Sequence, residues 1–234
     1  MDDPSLDPSE HSAALKGLAR LNWLSRSSEI LWNPIQNLSR QMSGRPLRIL
    51  DIASGSGDLL WALHQRASKA GISLVLHGTD VSDTAINVAR QYGKLARHVP
   101  HALELGEVTF TKLNALREPL PHGFDIVMSS LFFHHLTADD VVLLLRKMSA
   151  ATERLILVND LRRSAIGLCL AHVAGRLTTR SRVVHIDGPR SVKAAFKTHE
   201  MQALMTQAGL TGYQVTPKWP YRFLCEWQKA PDGQ

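Results

Sequence analysis

Residues 47–58, LRILDIASGSGD, constrain the fold more than any other stretch of the chain. A short apolar run closes on Asp51, small residues and two glycines follow, and Leu59, Leu60, Leu63 and Ala67 recur at helical spacing. That order reads as strand, tight turn and helix. Gly55 and Gly57 let the backbone turn sharply and lie against a ligand. A dinucleotide fingerprint would need its third glycine at position 60, where the chain has Leu60. The bland alternative is a turn that only starts a buried helix.

The pattern repeats downstream. Residues 72–77, 107–111, 124–128 and 154–159 read as further buried strands, and 213–216 and 223–227 as a final pair separated by Pro217 and Pro220. Helices are expected over 58–69, after Ser82, after Thr137 with Asp140 as a capping pair, and over 198–208 with Gly209 as the stop. Alternating strands and helices give an open α/β sheet, which binds ligands outside the carboxyl ends of its strands. Asp80 follows the second strand, placed to accept from both ribose hydroxyls of a nucleoside or, alternatively, from backbone donors at the start of the next helix. Ser129 and Ser130 stand at the end of the central strand.

An acidic strand end, two glycines one residue apart and Asp58 directly after them resemble the first motif of the class I S-adenosylmethionine-dependent methyltransferases. The resemblance extends over most of 45–227 and is to the small-molecule branch related to ubiquinone and menaquinone biosynthesis. It implies a Rossmann-like, seven-stranded, mostly parallel sheet with an antiparallel final strand, N-terminal helices and a helical lid insertion. It also implies S-adenosyl-L-methionine as cofactor and S-adenosyl-L-homocysteine as product, with no metal. By the same resemblance Asp51, Ala53, Ser54, Gly55 and Gly57 line the methionine and ribose side, Asp80 takes the ribose and Val81 covers an adenine face. Asn114, where many relatives have Asp, meets the adenine amino group through its side-chain carbonyl beside Ala115, and Ser129 and Ser130 border the transferable methyl. A nucleic-acid amino methyltransferase would often carry Asn/Asp-Pro-Pro-aromatic at this last place, and the chain has Ser129, Ser130, Leu131 and Phe132.

His134 and His135 follow that strand, and a neutral imidazole can take the proton of a phenol or hydroxyl. Asp160, at the exit of the fifth strand, either orients one of them or balances Arg162 and Arg163. The catalytic candidates are therefore His134, His135 and Asp160. Trp23, Trp32, Phe133, Arg162, His172 and Trp219 are the acceptor-side candidates, with ordinary core packing as the competing role for the tryptophans. Oxygen of a small aromatic, phenolic or polyketide-like acceptor is the expected target. Carbon of a quinone precursor, RNA, and a noncatalytic cofactor-binding interaction protein are the alternatives.

Four acidic residues and two prolines make 1–10 a tail, and leucines at 15, 18, 21 and 24 predict a helix that Pro34 interrupts. The division is 1–44, acidic tail and helical cap, and 45–234, methyltransferase domain, with 161–197 as acceptor-side lid. Within the lid, Gly188 and Pro189 mark a turn. The formal charge of +6 gathers there: Arg162, Arg163, Arg176, Arg180, Arg182, Arg190, Lys193 and Lys197 lie between Asp160 and Glu200. Such a segment suits an anionic substrate, a carrier protein or RNA, or is simply solvated. Cys169 and Cys225 have no metal-site or disulfide spacing. No apolar run is long enough to span a bilayer and the acidic start is unlike a secretion signal, so the expected compartment is the cytoplasm. Monomer and homodimer stay open.

Overall fold

A computed structural model describes residues 27–42, 44–96, 106–178 and 182–230, for 93–96, 172–178, 182–184 and 187 by backbone alone. Seven strands form one sheet: β1 Leu47–Ile52, β2 Leu74–Asp80, β3 Gly106–Lys112, β4 Phe124–Ser130, β5 Thr152–Leu161, β6 Gln214–Lys218 and β7 Arg222–Gln228. Their order is β3-β2-β1-β4-β5-β7-β6, parallel through β5 and antiparallel from β5 to β7 and β7 to β6. β1 and β4 are buried along nearly their whole length because helices cover both faces, which is why they read as continuous apolar runs.

The helices are α1 Ser27–Arg40, α2 Asp58–Lys69, α3 Asp83–Ala96, α4 Ala138–Ala151, α5 Ala165–Thr178, α6 Arg182–Ala194 and α7 Thr198–Gln207, with a 3-10 turn at Phe133–His135. One face of the sheet packs Ile49, Leu74, Leu76 and Met128 against α1, α2 and α3. The other packs Leu50, Ile52, Val127 and Ile156 against α4 and α7. Strand order reverses between β1 and β4, so the carboxyl ends of those two strands open a crevice.

Three prolines depart from the sequence expectation. α1 continues through Pro34, and α6 runs through Gly188 and Pro189 instead of turning there. An interior proline costs a helix about 3 kcal/mol, and in α1 the buried face of Leu31, Trp32, Ile35 and Leu38 outweighs it. Pro217 lies inside β6, where an edge strand has no further partner to need its missing N–H. β2 and β5 also extend further toward the carboxyl edge than apolar content suggested, because the ladder continues through Thr79 and Asp80 in β2 and through Asp160 and Leu161 in β5.

Candidate active site

The glycine turn sits on the end of β1. Ala53 takes φ 56°, Gly55 φ 55° and Gly57 φ 72°, so three of five successive residues adopt the left-handed region. The two glycines answer different needs. A Cβ on Gly55 would meet nothing within 4 Å, whereas one on Gly57 would lie 2.5 Å from Cζ of Phe110 and 3.0 Å from Cβ of Ala89. Gly55 thus faces open space at the crevice, and Gly57 admits the Phe110 ring beneath α2. The Cβ side of Gly57, unlike that of Gly55, is thus filled by protein.

Asp80 joins the two halves of the turn. Its Oδ2 accepts the Gly55 N–H at 2.9 Å and its Oδ1 the Ser82 N–H at 2.9 Å. These two bonds tie the glycine turn to the entry of α3. Val81, just beyond, is 59% exposed, an apolar side chain held out at the strand end. Asn114 behaves differently. Its Oδ1 accepts from the Leu116 and Arg117 N–H groups at 3.1 and 3.2 Å, and its own N–H donates to Oε1 of Glu118. These bonds hold the amide in the local turn, where they compete with the adenine contact expected of its carbonyl. Ala115 is buried, and its carbonyl takes the Lys147 ammonium at 2.6 Å.

At β4, Ser129 is buried and donates to the Ile52 carbonyl at 3.0 Å, fastening β4 to β1 instead of facing the crevice. Ser130 is partly exposed and accepts from Nδ2 of Asn159 at 3.0 Å. Leu131 follows with φ 58°. Phe133 is wholly buried among Val141, Leu145 and Met148, so it belongs to the core and not to an acceptor wall. Trp32 is likewise a core residue, packed with Leu60 and Leu63. Trp23 lies outside the described residues, as does the side chain of His172, whose backbone is in α5.

The histidine pair separates into unlike members. His134 is buried: its Nδ1 lies 2.6 Å from Oδ1 of Asp160, and its backbone N–H donates to Oδ2 at 3.1 Å. Asp160 is 1% exposed. Burial pushes its acidity toward the neutral form, but His134 beside it and the N–H groups of Leu161 and His134 outweigh that and hold its pKa below the ordinary carboxylate value. An ionised carboxylate can only accept, so Nδ1 of His134 is the donor in this pair. His135 is exposed, with its ring centroid 4.1 Å from that of His134.

The β6–β7 turn reaches the same margin, since Leu161 pairs with Arg222. Tyr221 takes φ 53°, accepts the Arg162 N–H at 2.8 Å and lies under the Arg162 guanidinium at 5.6 Å. Gly167 of α5 closes on the Tyr221 ring, and Trp219 stands 71% exposed at the turn. Arg222 is buried on the α1 side, donating to Oγ of Ser27 at 2.6 Å, and burial pushes its pKa down to about 10.

Two signals here had no counterpart in the sequence. Among the described residues, the non-glycine residues with left-handed φ are Ala53, Leu131 and Tyr221, and all three adjoin strand ends on this margin. Each costs of order 1–3 kcal/mol, and such strain clusters where ligands bind. Among the described residues, the buried polar atoms without a hydrogen-bond partner include Asp51 Oδ1, Ser54 Oγ, Asn159 Oδ1 and Arg162 Nε, again at the ends of β1 and β5. Unmet groups of this kind are rare, and each calls for a partner such as a ligand or an ordered water. Asn159 is the residue that sequence reasoning missed: its neighbourhood is apolar, and only the strand register sets it beside Ser130.

The parallel order, the reversal between β1 and β4 and the antiparallel β7 and β6 make a Rossmann-like, seven-stranded, mostly parallel sheet with an antiparallel terminal pair. Residues 49–154 match a family model described as a methyltransferase domain, a span from β1 to the start of β5. No curated protein sequence matches the chain. Among solved structures it is similar to a SAM-dependent methyltransferase from Aquifex aeolicus, at 19% identity and TM-score 0.60 over 97% of this chain and 100% of that one. Magnesium protoporphyrin IX methyltransferase from Synechocystis PCC 6803, with bound SAH, gives 15% identity and TM-score 0.58 over 87% of this chain and 84% of that one. An O-methyltransferase family 2 protein from Planctomyces limnophilus DSM 3776, in complex with apigenin, gives 15% and 0.64 over 98% of this chain but 64% of that one. Among the described residues no helix is long and apolar enough to cross a membrane.

Proposed function

We propose that the chain is an S-adenosylmethionine-dependent methyltransferase that methylates an oxygen of a small aromatic, phenolic or polyketide-like acceptor. The observation that carries this reading is the buried His134–Asp160 pair on the same sheet margin as the open face of Gly55 and the unmet Asp51 and Ser54 atoms. Those residues fit the cofactor: Asp51 offers a carboxylate to an ammonium, Asp80 to a ribose, and Val81 an apolar surface to a base. S-adenosylmethionine, when bound, supplies a methyl group activated by a sulfonium. The chain's own contribution is to hold, dry and deprotonate. Asp160 fixes the His134 ring by Nδ1 and by the backbone N–H, which leaves Nε2 to take the acceptor's proton. Arg162, Tyr221 and Trp219 wall the acceptor side, and closure of the lid limits competing water. Magnesium protoporphyrin IX methyltransferase and the apigenin-bound O-methyltransferase support an aromatic acceptor, and a ring of the quinone-precursor type falls within that class.

The test is methyl transfer from isotopically labelled S-adenosylmethionine to a phenolic and polyketide panel, with the methylated atom mapped by NMR. His134→Ala should lower turnover about 100-fold or more while cofactor affinity stays within a factor of about two. His135→Ala should keep most of the turnover. Label on ring carbon, or full turnover by His134→Ala, would overturn the assignment.

A further inference from the structure

The carboxyl group of Asp51 is in an unusual setting. It closes β1 at 1% exposure, and its Oδ1 is sealed from solvent with no hydrogen-bond partner among the described residues. The Thr79 hydroxyl donates to the Asp51 backbone carbonyl, at 3.2 Å, and not to its carboxyl. The charged groups that face it share its sign: Asp58 at the start of α2 and Asp80 at the end of β2. Across the ladder on either side lie Gly78 of β2 and Met128 of β4. Glu29 of α1 is paired with Arg66 of α2. No cation is paired with Asp51 among the described residues.

A buried carboxylate with an unbonded oxygen and two anionic neighbours is unfavourable, and the group relieves this by keeping its proton. Burial first, then Asp58 and Asp80, push its pKa well above the ordinary carboxylate value. Asp160, equally buried, is pushed the other way because His134 and backbone N–H groups serve it. The contrast between two buried carboxyl groups on one margin singles out Asp51 as the one still waiting for a cation.

We propose that Asp51 is a neutral carboxylic acid in the ligand-free protein and ionises when the ammonium of the cofactor's amino-acid portion seats against it, so that cofactor capture releases a proton. The O–H bond of Asp51 breaks, its proton leaves to solvent, and the carboxylate is held by charge-assisted N–H···O bonds to the incoming ammonium. This rests on the S-adenosylmethionine reading above and adds to it a linkage: below the pKa that Asp51 has in the empty site, affinity rises with pH.

The experiment is calorimetric titration of the full chain with S-adenosylhomocysteine between pH 5.5 and 7.5, in buffers of different ionisation enthalpy. The slope of observed enthalpy against buffer enthalpy counts protons. Near the lower end, about half to one proton should be released per molecule bound. 5′-Methylthioadenosine, which keeps the nucleoside and lacks the ammonium, should release none. Asp51→Asn should bind S-adenosylhomocysteine more weakly and without proton release. Tight binding of S-adenosylhomocysteine with an enthalpy independent of buffer would overturn the proposal, as would undiminished release from Asp51→Asn. If the variant does not fold, the wild-type slope and the 5′-methylthioadenosine control decide the matter alone. Failure of the wild type to bind S-adenosylhomocysteine at all would remove the cofactor reading itself and this inference with it.

Discussion

Gly55 and Gly57 stand two residues apart with similar backbone angles, yet substitution should separate them. Gly55→Ala places a Cβ in open space, so its stability cost is the left-handed backbone alone, about 1–2 kcal/mol. Gly57→Ala adds a clash with the ring of Phe110 on β3, and should cost about 3 kcal/mol or more. Urea midpoints should rank wild type, Gly55→Ala and Gly57→Ala in that order. S-adenosylhomocysteine affinity, measured on folded protein, should fall most for Gly55→Ala, and equal stability losses at the two sites would refute the distinction. Asp51 gives a related contrast in pH. Its folded pKa is raised, so the native state keeps a proton that the unfolded chain gives up, and stability declines as pH climbs from the ordinary carboxylate value to the folded one. Asp51→Asn should therefore raise the thermal midpoint of the ligand-free protein near pH 7 while weakening cofactor binding.

The elements that carry the site are held from the opposite end of the sheet. Arg45, two residues before β1, grips Asp125 of β4 through two bonds of 2.5 and 2.9 Å, and the Arg48 N–H adds a third at 3.0 Å. Asp125 is buried; burial alone would raise its pKa, but Arg45 and the Arg48 N–H overcome this and lower it. A depressed carboxylate stabilises above its unfolded pKa of about 3.9 and loses that contribution as pH falls through the folded value. Asp125→Asn should thus narrow the stability difference between pH 7 and pH 3, and an unchanged difference would mean the clamp is inert. Arg45 is half exposed, so Arg45→Ala should cost only about 1 kcal/mol. How far such elements could be read beforehand follows from what makes a local pattern. β1, the glycine turn and α2 were legible because their periodicity lies within a dozen residues, and Asp58–Lys69 is the helix observed. The His134–Asp160 neighbourhood was legible as strand exits, but not which histidine turns inward, since that is decided by two bonds from a strand 26 residues on. Asn159 and the strained Leu131 and Tyr221 left no local trace because their roles arise from register between strands. Pro34, Pro189 and Pro217 misled because tertiary packing or an edge position overrode local propensity.

At the scale of the molecule, the carboxyl margin gathers residues from nearly the whole length of the chain. Arg222 of β7 reaches back to Ser27 at the start of α1, 195 residues away in sequence, while Asp51, Asp80 and Asp160 stand on three strands between them. Strain at Ala53, Leu131 and Tyr221, together with the unbonded atoms at Asp51, Ser54, Asn159 and Arg162, makes this edge the part of the sheet with most to gain from a ligand. Stabilisation by a native-state ligand is set by mass action, reaching about 2.7 kcal/mol at 100 times the dissociation constant. For a chain of 234 residues that corresponds to a rise in thermal midpoint of about 5–10 °C. S-adenosylhomocysteine at that concentration should produce such a shift in scanning calorimetry. Hydrogen exchange should slow most at the N–H groups of Gly55, Leu131 and Arg162, which bond across the margin to Asp80, Asn159 and Tyr221. The Arg48 N–H, at the opposite end of β1, should slow only as much as global stability requires. Uniform protection over both ends of the sheet would show that the ligand stabilises the fold as a whole without engaging the carboxyl margin, and the site would then have to be sought elsewhere on the molecule.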